Sequence, residues 1–199
     1  ANSVASEAQD LGVRASVVIG DVRSTTTVSD LKRASDEFGG ADILVSNAAV
    51  RPFQAFVDIT ESDWNEVLDT QLNASFRLAS AFVPGMIRSN WGRIIHITGP
   101  DSFNGLANRA HNVTAKGGLR ALTKSLAIEL GPHGITVNDV APGILQTDRN
   151  DLSHPHKTAD NAPADENDRS HLVDLVPVGR LGTPEDVAYA CGFLASPRA

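Results

Sequence analysis

Residues 92–98 of this chain read GRIIHIT, a short β-branched run that begins at a glycine, and this stretch decides the fold. A run of this length is too short for a helix and has the composition of a buried strand. It is followed by a helical pattern over residues 114–130, which Gly131-Pro132 ends, and by a second β-branched run over residues 135–140. A strand, a helix and a second strand in this order predict a parallel β-α-β unit.

The same pattern extends over most of the chain. Two further β-branched runs, Ala15–Ile19 and Ile43–Ser46, are predicted to be strands. Helical periodicity is present over residues 27–38 and 60–88, and a capping sequence begins a last helix at Thr183. Strands that alternate with helices predict an α/β fold, with a doubly wound, Rossmann-like parallel sheet and helices on both of its faces.

The composition excludes several classes of protein. A length of 199 residues suits one domain, residues 1–199, with a sizeable core. The chain has 17 Lys and Arg against 24 Asp and Glu, and its formal net charge of −7 disfavours nucleic acid or an anionic membrane as a partner. The single Cys191 excludes an internal disulfide framework, and no apolar run approaches the length of a membrane span. We therefore expect a cytoplasmic protein.

Residues 147–171 interrupt the alternation of strands and helices. This stretch is polar and acidic, and it contains His154, His156 and His171. A loop of this length inside a compact domain is usually a lid, a binding loop or disordered, and we predict a lid. The three histidines have no paired spacing on a helix or strand, so we favour a solvated loop and expect no metal site.

Four short motifs resemble those of the short-chain dehydrogenase/reductase family. Residues 112–116 read NVTAK, where the family has Tyr-x-x-x-Lys at the start of a helix, and residues 46–49 read SNAA, where it has Asn-Asn-Ala-Gly after a strand. Asp21-Val22 and Pro142-Gly143 match two further turns of the family. The resemblance covers nearly all of the chain and implies a nucleotide-dependent oxidoreductase on a Rossmann-like fold.

The resemblance also implies four catalytic positions, and three of them are changed. The family uses Tyr to exchange a proton with the substrate oxygen, Ser to hydrogen-bond that oxygen, Lys to lower the Tyr pKa, and Asn to support a water relay. Lys116 is retained, but Asn112 stands at the Tyr position and Gln71 at the Asn position. Counting back from Asn112 by the family's commonest spacing leads to Gly99 at the Ser position. An amide cannot protonate an alkoxide, so the family's ordinary mechanism is closed.

Several neighbouring side chains are candidates to replace the missing groups. His111 precedes Asn112 and is a candidate acid or base, and Thr98 precedes Gly99 and offers a hydroxyl. Asp101 and Ser102 follow on the same loop, and Lys116 itself is a candidate if burial lowers its pKa. Each also has an ordinary interpretation as a surface, strand-end or turn residue. The only tyrosine of the chain, Tyr189, lies in the last predicted helix, and we interpret it as a packing residue.

The resemblance implies NAD or NADP as the cofactor. The residues implied at the nucleotide are Asp21, Val22, Asn47, Ala48, Ala49, Lys116, Pro142, Gly143 and Thr147. No glycine-rich phosphate loop follows a predicted strand, although a dinucleotide fold needs one. We therefore expect a partial chain, incomplete at its N- and C-terminal ends. The alternative is a sheet in which the strands near Val17 and Leu44 pair directly.

Three functions remain open. The first is an NAD(P)-linked oxidoreductase that acts on a small alcohol or carbonyl compound with a non-standard proton donor. For this function we predict that Lys116→Ala abolishes turnover and that His111→Ala reduces it strongly. The second is a catalytically inactive family member that binds a nucleotide or serves as an oligomer partner, and the third is a non-redox enzyme on the same fold. Because the family's long helices commonly pair, we expect a homodimer or homotetramer with a small-molecule substrate.

Overall fold

The computed structural model describes residues 1–146 and 173–199. The helices are α1 (Asn2–Asp10), α2 (Thr25–Asp36), α3 (Glu61–Leu68), α4 (Ala74–Ser89), α5 (Asp101–Asn104), α6 (Ala110–Leu130) and α7 (Pro184–Ala195). The strands are β1 (Ile43–Ser46), β2 (Gly92–Ile97) and β3 (Ile135–Val140). The predicted lid, residues 147–171, lies outside the described residues. No helix of the described part is long and apolar enough to cross a membrane.

The three strands form a parallel sheet in the order β1-β2-β3. Ser46 pairs with His96, and His96 pairs in turn with Asp139. α3 and α4 connect β1 to β2, and α6 connects β2 to β3, as parallel strands require. Five of the six residues of the central strand β2 are buried, which explains its continuous apolar run. The predicted α/β class is confirmed.

Helices cover both faces of the sheet. On one face, α2, α4 and α6 enclose the main core, which consists of Val28, Leu78, Phe82, Met86, Ile94, Leu130, Ile135 and Val137. On the other face, the Arg93 guanidinium donates hydrogen bonds to the carbonyl oxygens of Ser196 and Ala199, each at 3.2 Å, at the end of α7. The doubly wound arrangement predicted from the alternating pattern is therefore present.

The helix boundaries follow local capping signals. Thr60 and Asp63 form a reciprocal capping box at the start of α3, and Thr183 and Asp186 form another at the start of α7. The helix predicted over residues 60–88 is present but contains a π-helical turn, Asp69–Asn73, between α3 and α4. Such turns displace a side chain from the regular helical position and are frequent at functional sites.

Two predictions about packing are wrong. Ala15–Ile19 forms no strand, and the Ile19 side chain is 79% exposed, because an extended segment needs a neighbouring strand and β1 pairs only with β2 among the described residues. The expected alternative of direct pairing with β1 is therefore not seen. Tyr189 is 78% exposed on α7, so it is not packed against the rest of the described chain.

A buried histidine gives the fold a predictable sensitivity to acid. The His96 Nδ1 atom lies 2.8 Å from the Thr123 hydroxyl, which donates to the Leu119 carbonyl oxygen, so Nδ1 carries the proton of the neutral ring. Burial lowers the pKa of His96 from 6.5 to about 4. Only the unfolded chain therefore takes up this proton between pH 6.5 and about 4, and the folded state is destabilised as the pH falls through that range.

We expect the free energy of unfolding to fall by about 3 kcal/mol across this range on account of His96. Urea unfolding of wild type and His96→Asn at pH 7, 6, 5 and 4.5 measures the contribution. The variant should have the flatter pH dependence, because asparagine keeps a donor for Thr123 but does not titrate. His133→Asn, at a partly exposed position after α6, is the control and should follow wild type. Parallel curves for all three proteins would contradict the assignment.

Candidate active site

The carboxyl ends of the three strands meet at one edge of the sheet because the strands are parallel. Ser46, Ile97 and Val140 are the last residues of β1, β2 and β3 at this edge. α6 begins beside the edge, and Asn112 and Lys116 lie one turn apart on it, so their side chains share a face. Ligands of open α/β sheets bind outside this edge, which makes it the candidate active site.

Lys116 is the central charged group of the site. Its side chain is 5% exposed, and its Nζ atom donates a hydrogen bond to the Ile97 carbonyl oxygen at 2.6 Å. The pKa of Lys116 is lowered to about 8, mainly by burial and also by the positive charge of Arg51, while the negative charge of Asp101 opposes both effects. The amine can therefore gain or lose a proton near neutral pH.

Two buried amides lie next to this lysine. Gln71 belongs to the π-helical turn and is 1% exposed, and Asn112 is 2% exposed. The Gln71 Nε2 atom donates to the Val50 carbonyl oxygen at 2.8 Å and to Asn112 Oδ1 at 3.1 Å. The structure thus joins the two amides that stand at the family's Asn and Tyr positions. Neither amide is an acid in the neutral pH range, so their contribution is limited to hydrogen bonding.

A carboxylate completes the cluster at its solvent side. The Asn112 Nδ2 atom donates to Asp101 Oδ2 at 3.5 Å, the long limit of a hydrogen bond. Asp101 is the first residue of α5 and is only partly buried. Its negative charge also acts on Lys116, so the cluster extends from the buried amine to a partly exposed carboxylate.

The loop after β2 leaves open space at Gly99. A Cβ atom built on Gly99 would meet no heavy atom within 4 Å. The two nearby hydroxyls that were candidates to replace a serine are engaged elsewhere. Thr98 donates to Asp139 Oδ2 at 2.8 Å, and Ser102 donates back to the Gly99 carbonyl oxygen at 2.6 Å. The site therefore has room where the family has its serine. The hydroxyl groups of Thr98 and Ser102 do not replace that serine, because each already donates its proton to a protein oxygen.

His111 is fully buried, on a different side of α6 from Lys116. Its Nδ1 atom accepts a hydrogen bond from the Asn112 backbone N–H at 2.9 Å. Burial lowers the pKa of His111, and the nearby carboxylate of Asp63 opposes this effect. The ring is thus oriented by the start of α6 and lies near the N-terminal turn of α3.

Five of the residues implied at a nucleotide follow the ends of β1 and β3 at this edge. Asn47, Ala48 and Ala49 are exposed in the loop after β1, and Pro142-Gly143 follows β3. Asp21 is exposed, Val22 is partly buried, and both precede α2. Thr147 lies outside the described residues.

The described residues fit the ribose and nicotinamide part of a dinucleotide. Among them, no acidic side chain is within salt-bridge distance of Lys116, so the ammonium group keeps N–H donors for ribose hydroxyls. A Cβ atom at Gly143 would meet nothing within 4 Å, which leaves that backbone open to close approach. Asp21 already accepts bonds from Arg23 at 2.8 Å, so an adenine amine would share its oxygens with that guanidinium.

Comparison with known proteins agrees with this architecture. The family model described as enoyl-(acyl carrier protein) reductase matches residues 1–199. The chain belongs to the short-chain dehydrogenase/reductase family. This short-chain dehydrogenase/reductase is similar to the 3-oxoacyl-(acyl-carrier-protein) reductase of Pseudomonas aeruginosa, with 34% identity over 197 residues that cover 98% of the chain and 75% of the relative.

Two further relatives cover the same region. The 3-oxoacyl-(acyl-carrier-protein) reductase of Vibrio cholerae is 38% identical over 169 residues, and this match covers 85% of the chain but only 65% of the relative's length. Among solved structures, an NAD+-bound xylitol dehydrogenase superposes with a TM-score of 0.86 at 25% identity and covers 98% of this chain and 78% of that one.

Sequence patterns alone did not identify Arg51 as part of this short-chain dehydrogenase/reductase site. Its positive charge acts on Lys116, although Arg51 lies in the loop after β1 and Lys116 lies on α6. The sequence did contain one signal for Arg51. It lies two positions after Ala49, in the loop that follows a predicted parallel strand, and such strand ends lie at the ligand-binding edge.

No group of three or more metal-ligating side chains occurs in residues 1–146 and 173–199.

Proposed function

We propose that this protein is an NAD(P)-linked oxidoreductase that interconverts a small carbonyl compound and the corresponding alcohol. The observation that carries the proposal is Lys116, a buried amine at the carboxyl end of β2 beside the open space at Gly99. The relatives named above support the reaction class, and 3-oxoacyl compounds are the first substrates to test.

The nucleotide would be held by the loops after β1 and β3 and by Lys116, and it would supply the hydride. In the reduction direction, the Asn112 Nδ2 group hydrogen-bonds the substrate's carbonyl oxygen. Lys116 then gives a proton from Nζ to that oxygen. We assign this step to Lys116 because its pKa of about 8 suits an acid that works near neutral pH.

Solvent restores the proton on Lys116. Asp101 is partly exposed, contacts Asn112 and interacts electrostatically with Lys116, so its negative charge favours return of the ammonium form. His111 has no step in this scheme, because it lies on a different side of α6 from Lys116, so the strong loss that the sequence predicted for His111→Ala is no longer expected. The family resemblance extends the proposal to a homodimer or homotetramer in the cytoplasm.

The test is a titration with NADH and NADPH followed by nicotinamide fluorescence, and then the pH dependence of kcat/KM for reduction of an acetoacetyl thioester. We expect saturable binding of one nucleotide and a rate that falls as the pH rises through about 8, because the reduction needs the protonated lysine. Binding without turnover would favour an inactive, nucleotide-binding member of the family. No binding at millimolar concentrations would overturn the proposed function.

A further inference from the structure

We propose that Lys116 is also a covalent site, at which the amine adds to the carbonyl carbon of a small ketone or aldehyde and forms an imine. This activity needs no nucleotide, so it goes beyond the proposed oxidoreductase function. It would give the chain a non-redox reaction at the same edge of the sheet.

The environment of the amine carries the proposal. Imine formation requires a neutral amine with an accessible lone pair, and a buried lysine without a carboxylate partner is the arrangement that provides it. Lys116 is 5% exposed and donates one hydrogen bond, to the backbone oxygen of Ile97. Within the described chain, it forms no salt bridge. A neutral amine keeps the bond to Ile97 with one N–H and retains its lone pair.

Two substitutions open a path to this amine. In the family, a serine and a tyrosine side chain stand at the positions of Gly99 and Asn112. A Cβ atom at Gly99 would meet no heavy atom within 4 Å. The Asn112 side chain is held by hydrogen bonds with Gln71 and Asp101. A small carbonyl compound can therefore approach Nζ from the place where the family has the serine and tyrosine side chains.

The charges around the amine favour one class of carbonyl compound. Arg51 is close enough to oppose the ammonium form of Lys116, and the same positive charge attracts an anionic substituent. A second cation beside a reactive lysine is a known way to keep the amine neutral. A small oxo acid such as pyruvate is therefore the first carbonyl compound to test.

The chemistry balances without an oxidant or a reductant. The Nζ lone pair forms a C–N bond to the carbonyl carbon, and one amine proton moves to the carbonyl oxygen, which gives a carbinolamine. A proton from solvent then reaches the carbinolamine hydroxyl. The C–O bond breaks, water leaves, and a protonated C=N bond to Lys116 remains beside the Asp101 carboxylate.

Borohydride trapping tests the proposal on the protein alone, without nucleotide. The full chain is incubated with pyruvate at pH 7.5, treated with sodium borohydride, digested and analysed by mass spectrometry. We expect the reduced adduct on Lys116 at about tenfold or greater excess over Lys124, an exposed lysine two turns further along the same helix. Equal modification of both lysines, or none at Lys116, would overturn the proposal.

A second variant tests the path rather than the amine. Gly99→Val fills the open space and should reduce trapping at Lys116 while modification of Lys124 stays unchanged; undiminished trapping would contradict the proposed approach. Circular dichroism and the Lys124 signal confirm that the variant is folded and accessible. The outcome is independent of the oxidoreductase proposal, because nucleotide binding is measured separately and the trapping requires none.

Discussion

Replacing Lys116 with methionine is expected to lower kcat/KM for nucleotide-dependent carbonyl reduction by about 10³-fold. Methionine has a similar length and is compatible with the buried position, but it neither donates a proton nor hydrogen-bonds the Ile97 carbonyl oxygen. Because Asn112 and Gln71 are amides, no neighbouring acid of the buried cluster takes over the proton transfer. Steady-state kinetics with NADH and NADPH at pH 7 measures the effect.

Two control variants separate this role from general damage. Lys124→Met lies on the exposed side of α6 and should leave the rate unchanged. His111→Gln removes the other candidate acid but keeps a buried polar group at the same position, and we expect a loss of no more than about threefold. A loss at His111→Gln as large as that at Lys116→Met would instead make His111 the proton donor.

The fold was predictable where local signals determine it. The capping sequence at Thr183 predicted the beginning of α7, helical periodicity from residue 60 predicted that of α3, and a capping box is formed at each. The strand Ile43–Ser46 has the predicted boundaries. The strand predicted at Ala15–Ile19 failed because β-branched composition indicates only a preference, whereas a strand exists through hydrogen bonds to a neighbour.

The sequence named candidate residues for the site but could not predict their contacts. Asn112 and Lys116 were named from the family motif, and their spacing on α6 gives them a common face. Sequence could not show that Gln71 reaches Asn112 across 41 positions, because that contact depends on a π-helical turn. It also could not show that the hydroxyl of Thr98 points to Asp139. Side-chain directions of this kind are decided by packing between elements.

A hydrogen bond joins Gln71 and Asn112, the residues that stand at the family's Asn and Tyr positions. In the family, the first position holds Asn and the second a larger Tyr. Here Gln71 is longer than Asn by one methylene, and Asn112 is shorter than Tyr. The Gln71 Nε2 atom lies 3.1 Å from Asn112 Oδ1. Restoring the family's chemistry therefore requires changing both positions, and not Asn112 alone.

The triple variant Gln71→Asn, Gly99→Ser, Asn112→Tyr is expected to raise kcat for carbonyl reduction by about 10² to 10³-fold at pH 7. Serine fits at Gly99 because a Cβ atom there meets nothing within 4 Å. Asparagine at position 71 releases the contact with Asn112 and makes room for the tyrosine ring. The restored tyrosine lies one helical turn before Lys116, whose positive charge lowers the tyrosine pKa and makes it the stronger acid.

The single variant Gly99→Ser separates hydrogen bonding from proton supply. It adds a hydroxyl for the substrate oxygen but no acid, so its gain should stay within about tenfold. Nucleotide fluorescence titration of the triple variant shows whether the cofactor site is intact before rates are compared. If the triple variant folds and binds nucleotide but is no faster than wild type, proton donation does not limit this enzyme. The changes at positions 71, 99 and 112 would then indicate a different reaction at the carboxyl edge of the sheet. A reaction that starts with an imine at Lys116 is one of this kind.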